Sequence, residues 1–308
     1  MYITLKRKKN MKYLMSVIIG ILIAPFAHCS TQDSVSYIDK VKMTSVLEAA
    51  LGKMVNGHPE WGAKAMRSRL NAAEGNKKVA VDIKLPKPHK KFMKPVDMYN
   101  QRGQGVLMVG KYFDCGKCDK LHAMVIATAV VLTEDGVCLT NRHVMESMMA
   151  KTASAEADSA YFLAGLNGQV YPILDVLSYA QDADLAVIKI DPRGKKLSPV
   201  QLGESLHAGE DVRTLTHPMA NFYYYSEGVV ARNTQDESKG WESRRMDITA
   251  DYAVGSSGGP IFDEKGNLAA LVSTTQSLGT PSNRGIPGSH QMTIHSTIPV
   301  SSIRRLFK

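Results

Sequence analysis

Apolar residues recur in two different rhythms along this chain of 308 residues. From about residue 101 onward they form short runs broken every few residues by turn-forming glycine, aspartate, asparagine and proline, the signature of many short strands. Ala129 to Thr133, the turn Glu134-Asp135-Gly136 and a second short run leading to His143 read as a β-hairpin that ends in a histidine. Asp182-Ala183-Asp184-Leu185-Ala186-Val187-Ile188-Lys189-Ile190 reads as a strand with an acidic entrance, and Ile261-Phe262 as a strand closed by a turn over Asp263 to Gly266. Before residue 77 the rhythm is helical. Ile38, Val41, Leu47, Leu51 and Met54 fall close to one stripe of a helix that Asn56-Gly57 stops. Pro59 opens a second helical stretch through Trp61, Met66, Leu70 and Ala73. Between the two regimes, Lys77 to Lys94 is basic and, with Pro86, Pro88 and Pro95 in or beside it, reads as an extended, solvated linker.

The chemistry concentrates in Gly255-Ser256-Ser257-Gly258-Gly259-Pro260. A serine between glycines lets backbone N–H groups converge beside a hydroxyl, which is what acyl transfer requires: a nucleophile next to a preorganised oxyanion pocket. A serine hydroxyl is a poor nucleophile at neutral pH. A histidine must take its proton, and a carboxylate must hold that imidazole in the right tautomer. The chain offers His143 at the end of its hairpin and an aspartate at the entrance of the next strand. Asp182 and Asp184 lie two apart on one strand face, so spacing alone leaves both open. Taken singly, each of these residues has an ordinary structural use, as a turn residue, a strand-end histidine or a cap.

The segments Thr140-Asn141-Arg142-His143-Val144, Asp182 to Ile190 and Gly255 to Pro260 resemble those of chymotrypsin-fold (trypsin-like) serine proteases, most nearly the bacterial peptidases of the high-temperature-requirement type. The His, Asp, Ser order agrees with that family. Thr214 to Pro218, Glu227 to Val230, Ala269 to Ser273 and Ile298 to Leu306 extend the resemblance over residues 101–308. It implies a mainly β fold of two antiparallel six-stranded barrels with the site between them, and it favours Asp184, which directly precedes the Leu-Ala-Val run. The implied roles are His143 as base, Asp184 as its orienting carboxylate and Ser257 as nucleophile. Gly255 and Ser257, with Ser256 assisting, would form the oxyanion hole. Asp251 would stand at the base of the primary specificity pocket and favour Lys or Arg side chains. Ser273, Thr274 and Thr275 would pair with the substrate backbone, with Thr275 narrowing the pocket mouth. The chemistry calls for no cofactor and no metal, and the partners are protein or peptide substrates. Many relatives add a peptide-binding PDZ domain, for which the residues after the terminal helix leave no room. A catalytically silent homologue acting as a peptide-binding or chaperone module is the alternative.

Composition refines the address. The net charge of +9 looks like that of a nucleic-acid binder. The basic excess, however, lies before residue 101, whereas the protease-like region is slightly acidic, which argues against nucleic acid as a partner. Residues 1–29 combine a basic start with an apolar run from Tyr13 to Ala27 that is short for a membrane span. They read as a signal peptide of an exported, periplasmic or secreted protein, with membrane contact only through this targeting segment. The expected organisation is thus a signal peptide over 1–29, a helical region over 30–76, a linker over 77–100 and the protease-like domain over 101–308. Cys115-Gly116-Lys117-Cys118 is a CxxC followed by His122. A local disulfide is the favoured reading in an exported protein, with zinc binding and free thiols as alternatives. Cys138 reads as a small buried hydrophobe.

Overall fold

The computed structural model describes residues 35–149, 158–280 and 288–308. The signal-peptide reading of residues 1–29 lies outside them. No helix among the described residues is long and apolar enough to cross a membrane.

Twelve strands close into two antiparallel barrels of six. The first is built from β1 (Val106–Asp114), β2 (Leu121–Val131), β3 (Val137–Thr140), β4 (Asp158–Ala164), β5 (Val170–Ala180) and β6 (Leu185–Ile190), in the spatial order β1-β2-β3-β6-β5-β4. The second uses β7 (Asp211–Thr216), β8 (Tyr224–Thr234), β9 (Arg245–Ile248), β10 (Pro260–Phe262), β11 (Leu268–Gly279) and β12 (His290–Pro299), in the order β10-β11-β12-β9-β8-β7. Closure leaves each barrel without a free edge along its paired length. The period of two is plain in β1, where Val106 and Met108 join one apolar cluster and Leu107 and Val109 another. Both faces are covered, so the strand reads as a continuous apolar run. The turn before β3 needs Gly136, at φ 97°: a Cβ there would stand 2.6 Å from the Ile190 carbonyl oxygen.

Both predicted helices form and pack on the first barrel. α1 (Lys40–Gly57) starts at Asp39, whose side chain accepts the Lys42 N–H at 2.9 Å. It lies against β2, β4 and β5 through Leu47, Leu51 and Met54. Val41, expected on the same stripe, is instead 79% exposed, because it sits about 120° around the helix from Leu47, while Met43 continues the packed face. α2 (Ala63–Ala72) buries Ala63, Met66 and Leu70 against β4 and β5.

The segment expected to be a solvated linker is pinned to the second barrel. Val81 donates its N–H to Leu306 O at 2.8 Å and accepts from Lys308 N at 3.1 Å. His89 exchanges backbone hydrogen bonds with the Asn267 side chain at 2.7 and 2.9 Å, and Met93 is buried. Its lysines do face water, but Val81 and Met93 anchor it, and Pro95 opens a further helix, α3 (Pro95–Arg102). Among the described residues, two more α-helices follow in chain order, α4 (Arg142–Met149) after β3 and α5 (Val300–Ile303) after β12.

Leu51 is fully buried beneath α1, so Leu51→Ala should cost about 2–5 kcal/mol in a urea unfolding titration. A change below about 0.5 kcal/mol would mean that α1 is not packed on the barrel as described.

Candidate active site at the junction of the barrels

His143 is the second residue of α4, immediately past β3. Asp184 sits in the turn that enters β6, with φ 59°, a left-handed conformation that aspartate tolerates better than most residues. The turn is held from outside, since Asp184 O accepts from Arg142 N at 3.2 Å and from Asn141 Nδ2 at 3.0 Å. This strained turn brings its carboxylate onto His143: Nδ1 lies 2.9 and 3.1 Å from the two carboxylate oxygens, and the His143 backbone N–H donates to Oδ1 at 3.0 Å. An ionised carboxylate can only accept, so the proton resides on Nδ1 and the lone pair on Nε2. The Asp184 side chain is 20% exposed and that of His143 48%. Arg245 lies close by. Burial lowers its pKa, and the Asp184 charge opposes that shift.

The second barrel contributes the serine loop. His143, Asp184, Ser257, Tyr252 and Val254 line one cleft of about 360 Å³ together with Val272 to Thr275. Ser257 and His143 share this cleft without a direct hydrogen bond, a common condition before substrate tightens such pairs. The loop is clamped across the barrel seam: Thr128 of β2 donates its N–H to Ser257 O at 2.8 Å and its hydroxyl to Gly255 O at 3.0 Å. Gly258, at φ 79°, permits this approach. A Cβ there would fall 2.3 Å from both Thr128 O and Thr140 Oγ1.

The peptide between Val254 and Gly255 has a fixed orientation. Val254 O accepts from Met219 N at 2.7 Å. In a planar trans peptide the N–H points opposite to the carbonyl, so the Gly255 N–H is turned away from Met219. Neither it nor the Ser257 N–H takes a protein hydrogen bond among the described residues. Ser256 does not join them. Its N–H is committed to Ala253 O at 3.0 Å, and its buried hydroxyl to Thr216 Oγ1 at 2.9 Å, so its expected share in an oxyanion hole is replaced by a structural role. The loop that carries Met219 is itself anchored by buried His217. Burial lowers the pKa of that imidazole to about 3, and its Nδ1 accepts the Tyr223 N–H at 3.0 Å.

Ser273 has a side-chain role beyond the one expected of it. It falls at a register shift in the β11–β12 pairing, and its hydroxyl donates to Asp184 Oδ2 at 3.0 Å, which leaves its expected backbone pairing with substrate untouched. A bulge re-aims a side chain in this way. Tyr252, which sequence reasoning passed over, places its hydroxyl 2.9 Å from Thr274 O and 2.8 Å from Ser296 O, which fixes the loop before the serine. β11 pairs with β10 only as far as Leu271, so its edge beyond that point is unpaired by β10 while β12 holds the other side. A larger cleft of about 1120 Å³ adjoins the first through Tyr252, Ala253, Val254 and Thr275. Asp251 lines it with an 82% exposed side chain, 3.8 Å from His295 Nε2, and Met219, Tyr224 and Met292 add apolar surface.

The cysteines depart from the expected disulfide. The Cys115 and Cys118 sulfurs are 3.5 Å apart as free thiols, against a bonded distance of about 2.05 Å. Hydrogen bonds from Lys117 N–H first, then from the Cys118 thiol, lower the pKa of Cys115. Cys138 is fully buried, as read, and burial pushes its thiol pKa up.

Comparison with known proteins agrees with this fold. A family model described as a trypsin-like peptidase domain matches residues 127–271. Serine endoprotease DegS of Haemophilus influenzae is 26% identical over 170 residues, which cover 54% of this chain and 45% of that protein. Protease Do-like 1, chloroplastic, of Arabidopsis thaliana is 31% identical over 102 residues, covering 31% of this chain and 23% of its own. A probable periplasmic serine endoprotease DegP-like of Pseudomonas putida is 26% identical over 154 residues, covering 49% and 29%. The matches thus span less than half the length of these curated relatives. The crystal structure of Deg5 shares the fold, with a TM-score of 0.50 at 19% identity over 68% of this chain and 90% of that one. Residues 127–271 thus match a trypsin-like peptidase domain, and the relatives that align with this chain are serine proteases of the Deg, or high-temperature-requirement, type.

Proposed function

We propose that this protein is an exported serine endopeptidase that works through His143, Asp184 and Ser257. The observation that carries the reading is the His143 Nδ1–Asp184 contact at 2.9 Å in the cleft that Ser257 lines. The Nδ1 proton is engaged by Asp184, so Nε2 is left to accept the Ser257 proton as Oγ attacks the scissile carbonyl. The imidazolium so formed is stabilised by the carboxylate, then protonates the leaving amine. Water repeats the sequence on the acyl-enzyme. The Gly255 and Ser257 N–H groups, which carry no partner among the described residues, are the donors available to the oxyanion. The unpaired edge of β11 around Thr274 and Thr275 suits an extended peptide added as a further strand.

Export is supported by the basic and apolar character of the first 29 residues and by relatives with periplasmic names. For the primary specificity pocket we take the larger cleft, with Asp251 drawing a Lys or Arg terminus while the aliphatic stem lies on Tyr252 and Val254.

A fluorophosphonate probe should label the wild type once per chain and leave Ser257→Ala unlabelled; a folded wild type that resists labelling at every pH would support the silent-homologue reading. Gly255→Ala places a Cβ 2.7 Å from His217 O and 3.1 Å from Met219 N in a left-handed conformation. Its kcat on a cleaved peptide should fall by about 10²–10³, and an unchanged kcat would remove Gly255 from the oxyanion hole. In a peptide-library cleavage profile, Asp251→Ala should lose any Lys/Arg preference shown by the wild type, whereas an identical profile would refute the role given to Asp251.

A further inference from the structure

The tip of the β1–β2 hairpin holds three soft donors that peptide hydrolysis does not use. Gly116, at φ 65°, closes the turn, and its N–H donates to Asp114 Oδ1 at 2.7 Å. Cys115 and Cys118 flank this turn. His122 enters β2 just beyond it, opposite Phe113 in the register. The two sulfurs are 3.5 Å apart, Cys118 Sγ is 3.1 Å from His122 Nε2, and all three donor atoms lie within 4.8 Å of one another.

These separations fit a metal site better than a covalent bond. Two thiolates on one tetrahedral zinc, at Zn–S of about 2.3 Å, stand about 3.7 Å apart, and a thiolate and an imidazole nitrogen about 3.5 Å. The observed distances sit near those tetrahedral edges and far above an S–S bond.

Helix α1 supplies a further feature that spacing alone does not reveal. Glu48 Oε1 stands 3.4 Å from His122 Nδ1 and accepts the Ala123 N–H at 3.3 Å. A carboxylate behind Nδ1 draws the ring proton there and leaves the Nε2 lone pair facing the sulfurs, the arrangement that orients metal-binding imidazoles. Glu48 cannot ligate the same ion, because it approaches the opposite nitrogen. Cys118 is exposed and Cys115 partly so, which leaves an ion a way in and a fourth position for water.

We propose that Cys115, Cys118 and His122 bind one zinc-class cation, with water as fourth ligand and Glu48 as the residue that positions His122. Binding releases the two thiol protons to solvent and leaves the imidazole neutral. The site is separate from the protease cleft. Thr128, where β2 meets the serine loop, lies six residues further along the strand, roughly 20 Å away. The ion therefore touches no reacting atom; through His122 and Glu48 it ties the hairpin tip to α1.

The test is a Co²⁺ titration of the full chain kept reduced with a phosphine, followed by Zn²⁺ competition. One Co²⁺ per chain should give a thiolate-to-cobalt charge-transfer band with intense visible bands of a tetrahedral ion, displaced by one equivalent of Zn²⁺. Cys118→Ser should abolish the charge-transfer spectrum, while Glu48→Gln, which keeps all three ligands, should weaken Zn²⁺ binding about 10- to 100-fold. Fluorophosphonate labelling of each variant checks that it is folded. A reduced wild type with no thiolate–cobalt band overturns the proposal without reference to any variant. So does a spectrum that survives in folded Cys118→Ser.

Discussion

The Asp184 carboxylate is the junction on which the arrangement rests. It accepts the His143 backbone N–H and Nδ1–H from the first barrel and the Ser273 hydroxyl from the second. Hydrogen bonds to a charged group contribute about 1.5–3 kcal/mol each. Holding a non-glycine residue at positive φ costs about 1–3 kcal/mol. Three such bonds outweigh the strain of Asp184 at φ 59°, and they also satisfy a carboxylate that is largely removed from water. The same atoms thus orient the imidazole and hold one barrel to the other. Removing the charge would cost the seam as well as the proposed chemistry.

The serine loop answers to a parallel constraint, close backbone approach. Gly258 lets Thr128 reach Ser257 O, and Gly255 lets the 254–255 peptide turn its carbonyl to Met219. Met219 and Ala220 themselves lie at positive φ, and buried, neutral His217 steadies that turn. Oxyanion donors are useful only when they point at the developing charge before it forms. Here the direction of the Gly255 N–H, a donor proposed for the oxyanion, is set by a hydrogen bond from another loop rather than by the glycine alone.

What the sequence disclosed and what it hid follow from range. The His143 hairpin, the strand after Asp184 and the glycine loop at Ser257 are local patterns, so periodicity and turn chemistry exposed them. The two-barrel closure came from family resemblance, since pairings such as β1 with β4 span dozens of residues and leave no local mark. The same holds for other details. Nothing near Ser273 indicates that a bulge turns its hydroxyl toward a residue 89 positions away, and nothing near Ser256 points to Thr216. Proline and lysine content made residues 77–94 look solvated, yet Val81 and Met93 anchor the segment through contacts with the far end of the chain and with Glu264. Val41 is helical as expected but lies about 120° around α1 from Leu47, so it faces water while Met43 continues the packed face.

The most direct measurement of the central claim is the proton spectrum of the protein inhibited by a peptide boronic acid. A tetrahedral boronate on Ser257 mimics the charged intermediate and should leave His143 doubly protonated. Its Nδ1–H, held to Asp184, should then give a single resonance far downfield of the amides, absent in Asp184→Asn. An inhibited wild type with no such resonance, or one that persists in Asp184→Asn, would contradict the assignment of these residues to one catalytic unit.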